Sequence, residues 1–121
     1  IIWDIRRSKT QKALEYAFIA ERIGLKLKQK NQLRRTYHAI SVIFQYQAQY
    51  EKAIEYAQKN RLLCQELKRP ISEGSVTLTL GNIYLFTNKY DSAAVYYSQA
   101  ISLYKPFADT SELAKGGVAN A

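Results

Sequence analysis

Through most of the chain the apolar residues fall three or four apart, the spacing of one face of an α-helix. Tyr37, Ile40, Ser41 and Phe44 make one such stripe, and Ala53, Ala57 and Leu63 make another. The stripes recur. Ala13, Ala53 and Ala93 sit at 40-residue intervals within three copies of one segment: Lys12-Ala13-Leu14-Glu15-Tyr16-Ala17, Lys52-Ala53-Ile54-Glu55-Tyr56-Ala57 and Ser92-Ala93-Ala94-Val95-Tyr96-Tyr97. Tyr37, Ile40, Ser41, Ile43 and Phe44 return as Thr77, Leu80, Gly81, Ile83 and Tyr84, Tyr50 returns as Tyr90, and Ile23, Leu63 and Leu103 align. A period of this size marks a repeat array whose unit is one supersecondary element. Each copy reads as two amphipathic helices, A then B, joined by a short turn at Ala48-Gln49 or Asn88-Lys89. Neither helix buries its stripe alone, so the units must stack. The pattern predicts an all-α array of antiparallel helix pairs with no strands.

The residues that recur carry a family resemblance. Leu80-Gly81-x-x-Tyr84, followed by Tyr90, Ala93, Tyr97, Ala100 and Pro106, resembles the tetratricopeptide repeat at nearly every signature position. Gly81 and Ala93 let helices A and B approach, Tyr84 and Tyr97 fill the space between them, and Pro106 ends helix B. The middle copy fits through Ile40, Ser41, Phe44, Ala53 and Ala57 but has Asn60 at a small-residue position, and its helix B runs on past Cys64 and Leu67 to a turn at Arg69-Pro70. The first copy retains only helix B, through Ala13, Ala17 and Ala20. The resemblance covers roughly residues 11–107. It implies a right-handed α-solenoid that serves as a binding scaffold. The period exceeds the usual 34 residues, and six extra residues are about a turn and a half of helix plus a looser connection. Longer units of this kind resemble those of bacterial regulatory and sensor proteins and of motor-protein light chains.

The repeats set the expected boundaries. A single domain is divided into a partial repeat at 1–30, repeats at 33–69 and 73–107, and the start of another at 110–121. Ile1-Ile2-Trp3-Asp4-Ile5 falls where the period places the end of a preceding helix A, and Gly116-Gly117-Val118 resembles Gly74-Ser75-Val76. The chain therefore reads as part of a longer array. Apolar residues at its ends, Trp3 and Ile5 or Val118, are expected to favour self-association.

Composition narrows the function class. The chain is 47% hydrophobic, enough for a continuous core. No run approaches the ~18 uninterrupted apolar residues of a membrane helix, so no membrane contact is expected. Cys64 stands alone and suits a reducing compartment, which makes the cytoplasm the expected location. Its place on the helix B pattern beside Leu63 and Leu67 predicts a small buried hydrophobe. The net charge of +8 is uneven: residues 1–35 hold ten Lys or Arg against Asp4, Glu15 and Glu21, which is +7 and leaves +1 for the rest. The cluster Lys26-Leu27-Lys28-Gln29-Lys30 and Arg34-Arg35 admits three readings. A solvated helix end favoured by basic residues near the C-terminus comes first, then a contact for an acidic protein segment. Nucleic acid comes last, because no aromatic residue is interleaved to stack on bases.

Catalytic chemistry is missing from the pattern, and an enzyme is not expected. His38 and Cys64 have Leu78 and Tyr104 as their period equivalents, so neither belongs to a repeated site. His38 has no second ligand at metal spacing, and no metal or cofactor is implied. Lys115-Gly116-Gly117 lacks the rest of a phosphate loop. Tyr16, Tyr50, Tyr56, Tyr84, Tyr90, Tyr96 and Tyr97 fall on repeat positions and read as packing residues with a polar tip.

Helical geometry singles out one further face. Arg35, His38, Val42, Gln45 and Tyr46 are rotated well away from the packing stripe of the first helix A, and Ser75, Leu78, Asn82, Leu85 and Phe86 are their equivalents in the second. The resemblance implies that this face lines a concave peptide groove, with Arg35, His38, Gln45, Tyr46, Leu78, Asn82, Leu85 and Phe86 as candidate contacts. Asn82 and Gln45 can hydrogen-bond a peptide backbone. The family also has a lysine-, arginine- and asparagine-based clamp for C-terminal carboxylates; Asn82 fits it, but His38 and Leu78 stand where lysine belongs. The competing reading of Leu78, Leu85 and Phe86 is contact with a neighbouring unit. Two functions follow: a scaffold for a protein or peptide, or a sensor segment of a larger signalling protein such as a kinase or transcription regulator.

Overall fold

The computed structural model describes residues 2–107, with side chains described over residues 8–107. Five α-helices follow one another: α1 Ile2–Leu27, α2 Lys30–Tyr46, α3 Tyr50–Glu66, α4 Pro70–Phe86 and α5 Tyr90–Tyr104. A short 3-10 turn, Lys105–Phe107, comes after α5 and holds Pro106, which cannot extend the α-helical hydrogen bonding. No strand occurs among the described residues. Helix α2 is the A helix and α3 the B helix of one repeat, α4 and α5 are those of the next, and α1 carries the B pattern of the first copy.

Four turns join the helices, and they share one backbone solution. Lys28, Ala48, Lys68 and Asn88 have φ of 55°, 57°, 54° and 62°. In each turn the following residue donates its N–H back across six residues: Gln29 to the Gly24 carbonyl, Gln49 to Phe44, Arg69 to Cys64 and Lys89 to Tyr84, at 2.9–3.0 Å. A shorter bond runs inside each, from Lys28 to Leu25, Ala48 to Gln45, Lys68 to Gln65 and Asn88 to Leu85. This pair of bonds is the Schellman motif, which satisfies carbonyls left open at a helix end. The residue after the left-handed position then opens the next helix, since the carbonyls of Gln29, Gln49, Arg69 and Lys89 accept from Leu33, Ala53, Glu73 and Ala93. One residue thus closes one helix and begins the next, which makes the connections as short as they are.

The chain divides into two compact units at Leu63 and Cys64, within α3. In the first, Leu14, Leu33, Tyr37, Ile40, Phe44, Ala53 and Ala57 are buried. The Ser41 hydroxyl donates to the Ala53 carbonyl at 2.8 Å and fixes the crossing of α2 and α3. Tyr56 gathers an aromatic cluster from all three helices, with ring centroids 6.2 Å from Phe18, 5.9 Å from Tyr37 and 5.8 Å from Phe44. The Lys59 ammonium lies 4.6 Å from the Tyr56 centroid and 5.7 Å from that of Tyr37. Such tilted rings each contribute about 0.5–1.5 kcal/mol beyond simple burial.

In the second unit Val76, Thr77, Leu80, Gly81, Ile83, Ala93 and Ala100 are buried. Helices α4 and α5 run antiparallel, because Gly74 meets Tyr104 while Gly81, two turns later, meets Tyr97. At Gly81 the approach is closest: a Cβ there would stand 2.7 Å from Cδ1 and Cε1 of the Tyr97 ring. Tyr84 and Tyr96 stack at 5.2 Å with 10° between their planes. The buried Thr77 hydroxyl donates to the Glu73 carbonyl one turn back, at 2.7 Å. Cys64 is buried, as its place beside Leu63 and Leu67 predicts.

Several expectations need revision. Residues 2–5 do not end a preceding helix A, since α1 runs unbroken from Ile2 to Leu27 and no turn falls forty residues before Ala48. Ala13 and Ala20 are exposed, whereas their equivalents Ala53 and Ala93, Asn60 and Ala100 are buried. Tyr16 and Tyr90 are also exposed rather than packed, while Tyr56, Tyr84, Tyr96 and Tyr97 are half-buried as packing residues with a polar tip should be. The proposed association through Trp3, Ile5 and Val118, and the repeat start at 110–121, lie outside the residues whose side chains are described.

Candidate functional site

The helix A face splits between the two units, and each half stands on its own helix. On α2, Arg35, His38 and Tyr46 are exposed and Gln45 is half-buried, while Tyr37, Ile40, Ser41 and Phe44 on the opposite side are buried. Tyr46, the last residue of α2, is 85% exposed because the chain turns away at Gln47. Arg35 sits lower on the helix and also lines a cleft between α2 and α1.

The half on α4 is more apolar. Leu78, Leu85 and Phe86 are all exposed, Phe86 to 68%, and so is Asn82 between them. Asn82 is not loose. Its Oδ1 accepts from the Tyr97 hydroxyl at 2.6 Å, so the aromatic ring that packs on Gly81 also pins the amide. With Oδ1 engaged, the two amide hydrogens are left to donate outward, the polarity that a peptide carbonyl requires. Sequence reasoning chose Asn82 but missed the role of Tyr97 in orienting it. The signal was available in the antiparallel pairing of α4 and α5, which sets residue 97 opposite residue 82.

Electrostatics concentrate on the tyrosines. Burial raises the Tyr37 phenol above its ordinary pKa, and the charge and hydrogen bond of Glu21 raise it further. Burial also raises Tyr56, helped by Glu21 and Glu55. Burial and then Tyr96, which also hydrogen-bonds it, do the same for Tyr84. In all three the neutral phenol is favoured, which suits packing and not acid–base work at neutral pH. Among the described residues, no three His, Cys, Asp or Glu side chains come together to hold a metal ion. The basic cluster is partly occupied locally, since the Arg34 guanidinium donates to Asn31 Oδ1 at 3.1 and 3.3 Å. Lys26 lies in the last turn of α1, where the helix dipole favours a cation.

Comparison with known proteins bears on this arrangement. No curated protein matches the chain. No helix among the described residues is long and apolar enough to cross a membrane. The family model described as tetratricopeptide repeat matches residues 32–105, a span that holds all but the first two residues of α2, the whole of α3 to α5 and the Gly81–Tyr97 contact. That family is in general one of protein-interaction scaffolds, typically without catalysis. The match covers more than half of the sequence, and the chain belongs to the tetratricopeptide repeat family.

Proposed function

We propose that the chain binds extended or helical peptide of another protein on its helix A faces, Arg35, His38, Gln45 and Tyr46 being the contacts on α2 and Leu78, Asn82, Leu85 and Phe86 those on α4. The observation that carries this reading is the α4 half: three exposed apolar side chains surround an amide already held by Tyr97. Apolar anchors with an oriented polar group among them are what a peptide site needs for affinity and direction. His38 and Leu78, where a carboxylate clamp has lysine, favour internal peptide segments over free C-termini. A sensor segment in a larger signalling protein would use the same binding step. A cytoplasmic setting agrees with the single buried thiol.

Panning a peptide library displayed on phage against the full chain tests the reading. Selected peptides should lose about 2 kcal/mol or more of affinity on Phe86→Ala or Leu85→Ala. Arg34→Glu with Arg35→Glu should mainly slow association, as rim charges do. Binding that ignores Phe86 but vanishes on charge reversal and in moderate salt would move the site to the basic surface.

A further inference from the structure

Asn82 is held so that it can only give hydrogen bonds. The Tyr97 hydroxyl stands 2.6 Å from Asn82 Oδ1. That is shorter than the distance of about 2.9–3.0 Å common for an N–H donor and suits an O–H donor, so the amide oxygen and not its nitrogen faces the phenol. The Tyr97 ring is itself fixed, because it packs on Gly81, where an added Cβ would meet two ring carbons at 2.7 Å. Nδ2 and its two hydrogens are then left for an outside acceptor. An amide without such a hold turns over and offers its oxygen as readily as its nitrogen. The surroundings restrict the acceptor. Leu78, Leu85 and Phe86 are exposed around Asn82, and α4 has no charged side chain from Gly74 to Phe86. A carboxylate seated there would lose water against apolar groups with no cation on that stretch to offset the loss. A helix offers few acceptors, since all but its last four carbonyls are taken by its own backbone. An extended segment leaves its carbonyls free.

We infer that Tyr97 is the positioning residue that sets the specificity of the α4 face. By holding Asn82 as a donor, it selects an uncharged, extended stretch of a partner protein that presents a carbonyl between apolar side chains. The inference rests on the reading of this face as a peptide site and says which peptide it takes. Leu78 and Phe86 are eight residues apart on α4, about 12 Å along the helix. About four residues of extended peptide, at ~3.1 Å each, cover that length. Apolar side chains before and after the carbonyl then reach Leu78 on one side of Asn82 and Leu85 or Phe86 on the other. Tyr97 acts through Asn82, so its hydroxyl matters to binding only while the amide is there.

The probe is a hexapeptide of three leucine–proline pairs, acetylated at one end and amidated at the other. It is uncharged, is held extended by proline and has free carbonyls. Titrated into the isotope-labelled full chain, it should shift the side-chain amide resonances of Asn82 and the backbone amides of Leu78 and Leu85. Tyr97→Phe keeps the ring on Gly81 and should leave the thermal midpoint within a few degrees, yet weaken binding about fivefold, the worth of one hydrogen bond. In an Asn82→Ala background the same change should cost nothing, which a packing role would not give. Asn82→Asp alters an exposed position. Tyr97 would donate to one carboxylate oxygen and leave the other facing the peptide, so binding should fall further than with Asn82→Ala. The inference is overturned if Tyr97→Phe binds the probe as the parent does, or if its cost is the same with and without Asn82. It is also overturned if the probe with its leucines changed to glutamate, or a capped helical peptide of alanine, leucine and glutamine, binds more tightly. Loss of binding on Phe86→Ala with no effect of Tyr97→Phe removes this inference alone and leaves the peptide face standing. A probe that shifts none of these amides at millimolar concentration also removes it, while peptides selected on the full chain that depend on Phe86 would keep the face.

Discussion

Gly81→Ala tests the close crossing of α4 and α5. In an exposed helix interior this change stabilises by about 1 kcal/mol, the difference in propensity between the two residues. Here the new methyl would stand 2.7 Å from two carbons of the Tyr97 ring and 3.3 Å from a third. Carbon atoms pack best at about 3.5–4.0 Å, so the ring must retreat by about 0.8 Å. It is held at both ends, by α5 beside the buried Ala93 and Ala100 and by the 2.6 Å bond from its hydroxyl to Asn82. Overpacking of this kind costs about 1–3 kcal/mol, which outweighs the propensity gain and leaves Gly81→Ala destabilised by up to about 2 kcal/mol. Gly74→Ala is the internal control on the same helix. Its methyl would meet the Tyr104 ring at 3.1–3.3 Å, and that ring, on the last residue of α5, needs to move only a few tenths of an ångström. It should be neutral or stabilised by up to about 1 kcal/mol. Urea melts followed by far-UV circular dichroism give both numbers, and a third variant closes the argument. In a Tyr97→Ala background the ring is gone, so adding Gly81→Ala should raise the midpoint instead of lowering it. A midpoint that rises for Gly81→Ala in the parent as it does for Gly74→Ala would refute the close approach.

Two further predictions use the turns and the tyrosines. Ala48 and Lys68 hold left-handed backbone at φ 57° and 54°; that conformation costs an L-residue about 1–2 kcal/mol, and after the extra entropy of glycine in the unfolded chain, Ala48→Gly and Lys68→Gly should each stabilise by about 0.5–1 kcal/mol in thermal melts. A loss of stability in both would contradict the four shared turns. Tyr37, Tyr56 and Tyr84 have pKa values raised above 10.0 in the folded chain, so their contribution is complete below about pH 10 and declines above it, where the unfolded phenols ionise first. Tyr37→Phe should flatten that alkaline decline in pH-dependent urea melts, and an unchanged slope would remove Tyr37 from the account.

The fold was legible because the repeat writes the same packing problem more than once. Ala53 and Ala93, or Ile40 and Leu80, coincide under a 40-residue shift, and their burial follows from helical spacing alone. The turns at Ala48-Gln49, Arg69-Pro70 and Asn88-Lys89 were legible, but their common backbone was not. Left-handed residues recur at Lys28, Ala48, Lys68 and Asn88, every twenty residues, yet those four side chains share no chemistry beyond two lysines. Glycine would have announced them, and it is absent from all four. Sequence equivalence also misled at Ala13 and Ala20. It identifies equivalent positions but does not fix their burial, which differs between α1 and α3. The exposure of Leu78, Leu85 and Phe86 followed from rotation about the helix axis, whereas the orientation of Asn82 depended on the register of α4 against α5.

That register ties packing to recognition. In the α4–α5 pair a glycine on the A helix faces an aromatic ring on the B helix, Gly81 against Tyr97. In the α2–α3 pair the same two positions hold Ser41 and Ala57, larger on A and smaller on B, and a hydroxyl-to-backbone bond replaces the ring contact. Both choices fill the crossing, since volume given up on one helix is returned on the other. They differ in what reaches the outer face. The Tyr97 ring is long enough to carry its hydroxyl past the crossing to Asn82, whereas Ala57 carries nothing, and the residue at the position equivalent to Asn82 is the apolar, half-buried Val42. At this one level of the A-helix face, the Tyr97 hydroxyl holds the polar Asn82 in the second repeat, whereas no B-helix side chain reaches Val42 from Ala57 in the first. The residue that packs the crossing thus decides whether the A-helix residue beside it, Asn82 or Val42, has a hydrogen-bond partner on the B helix.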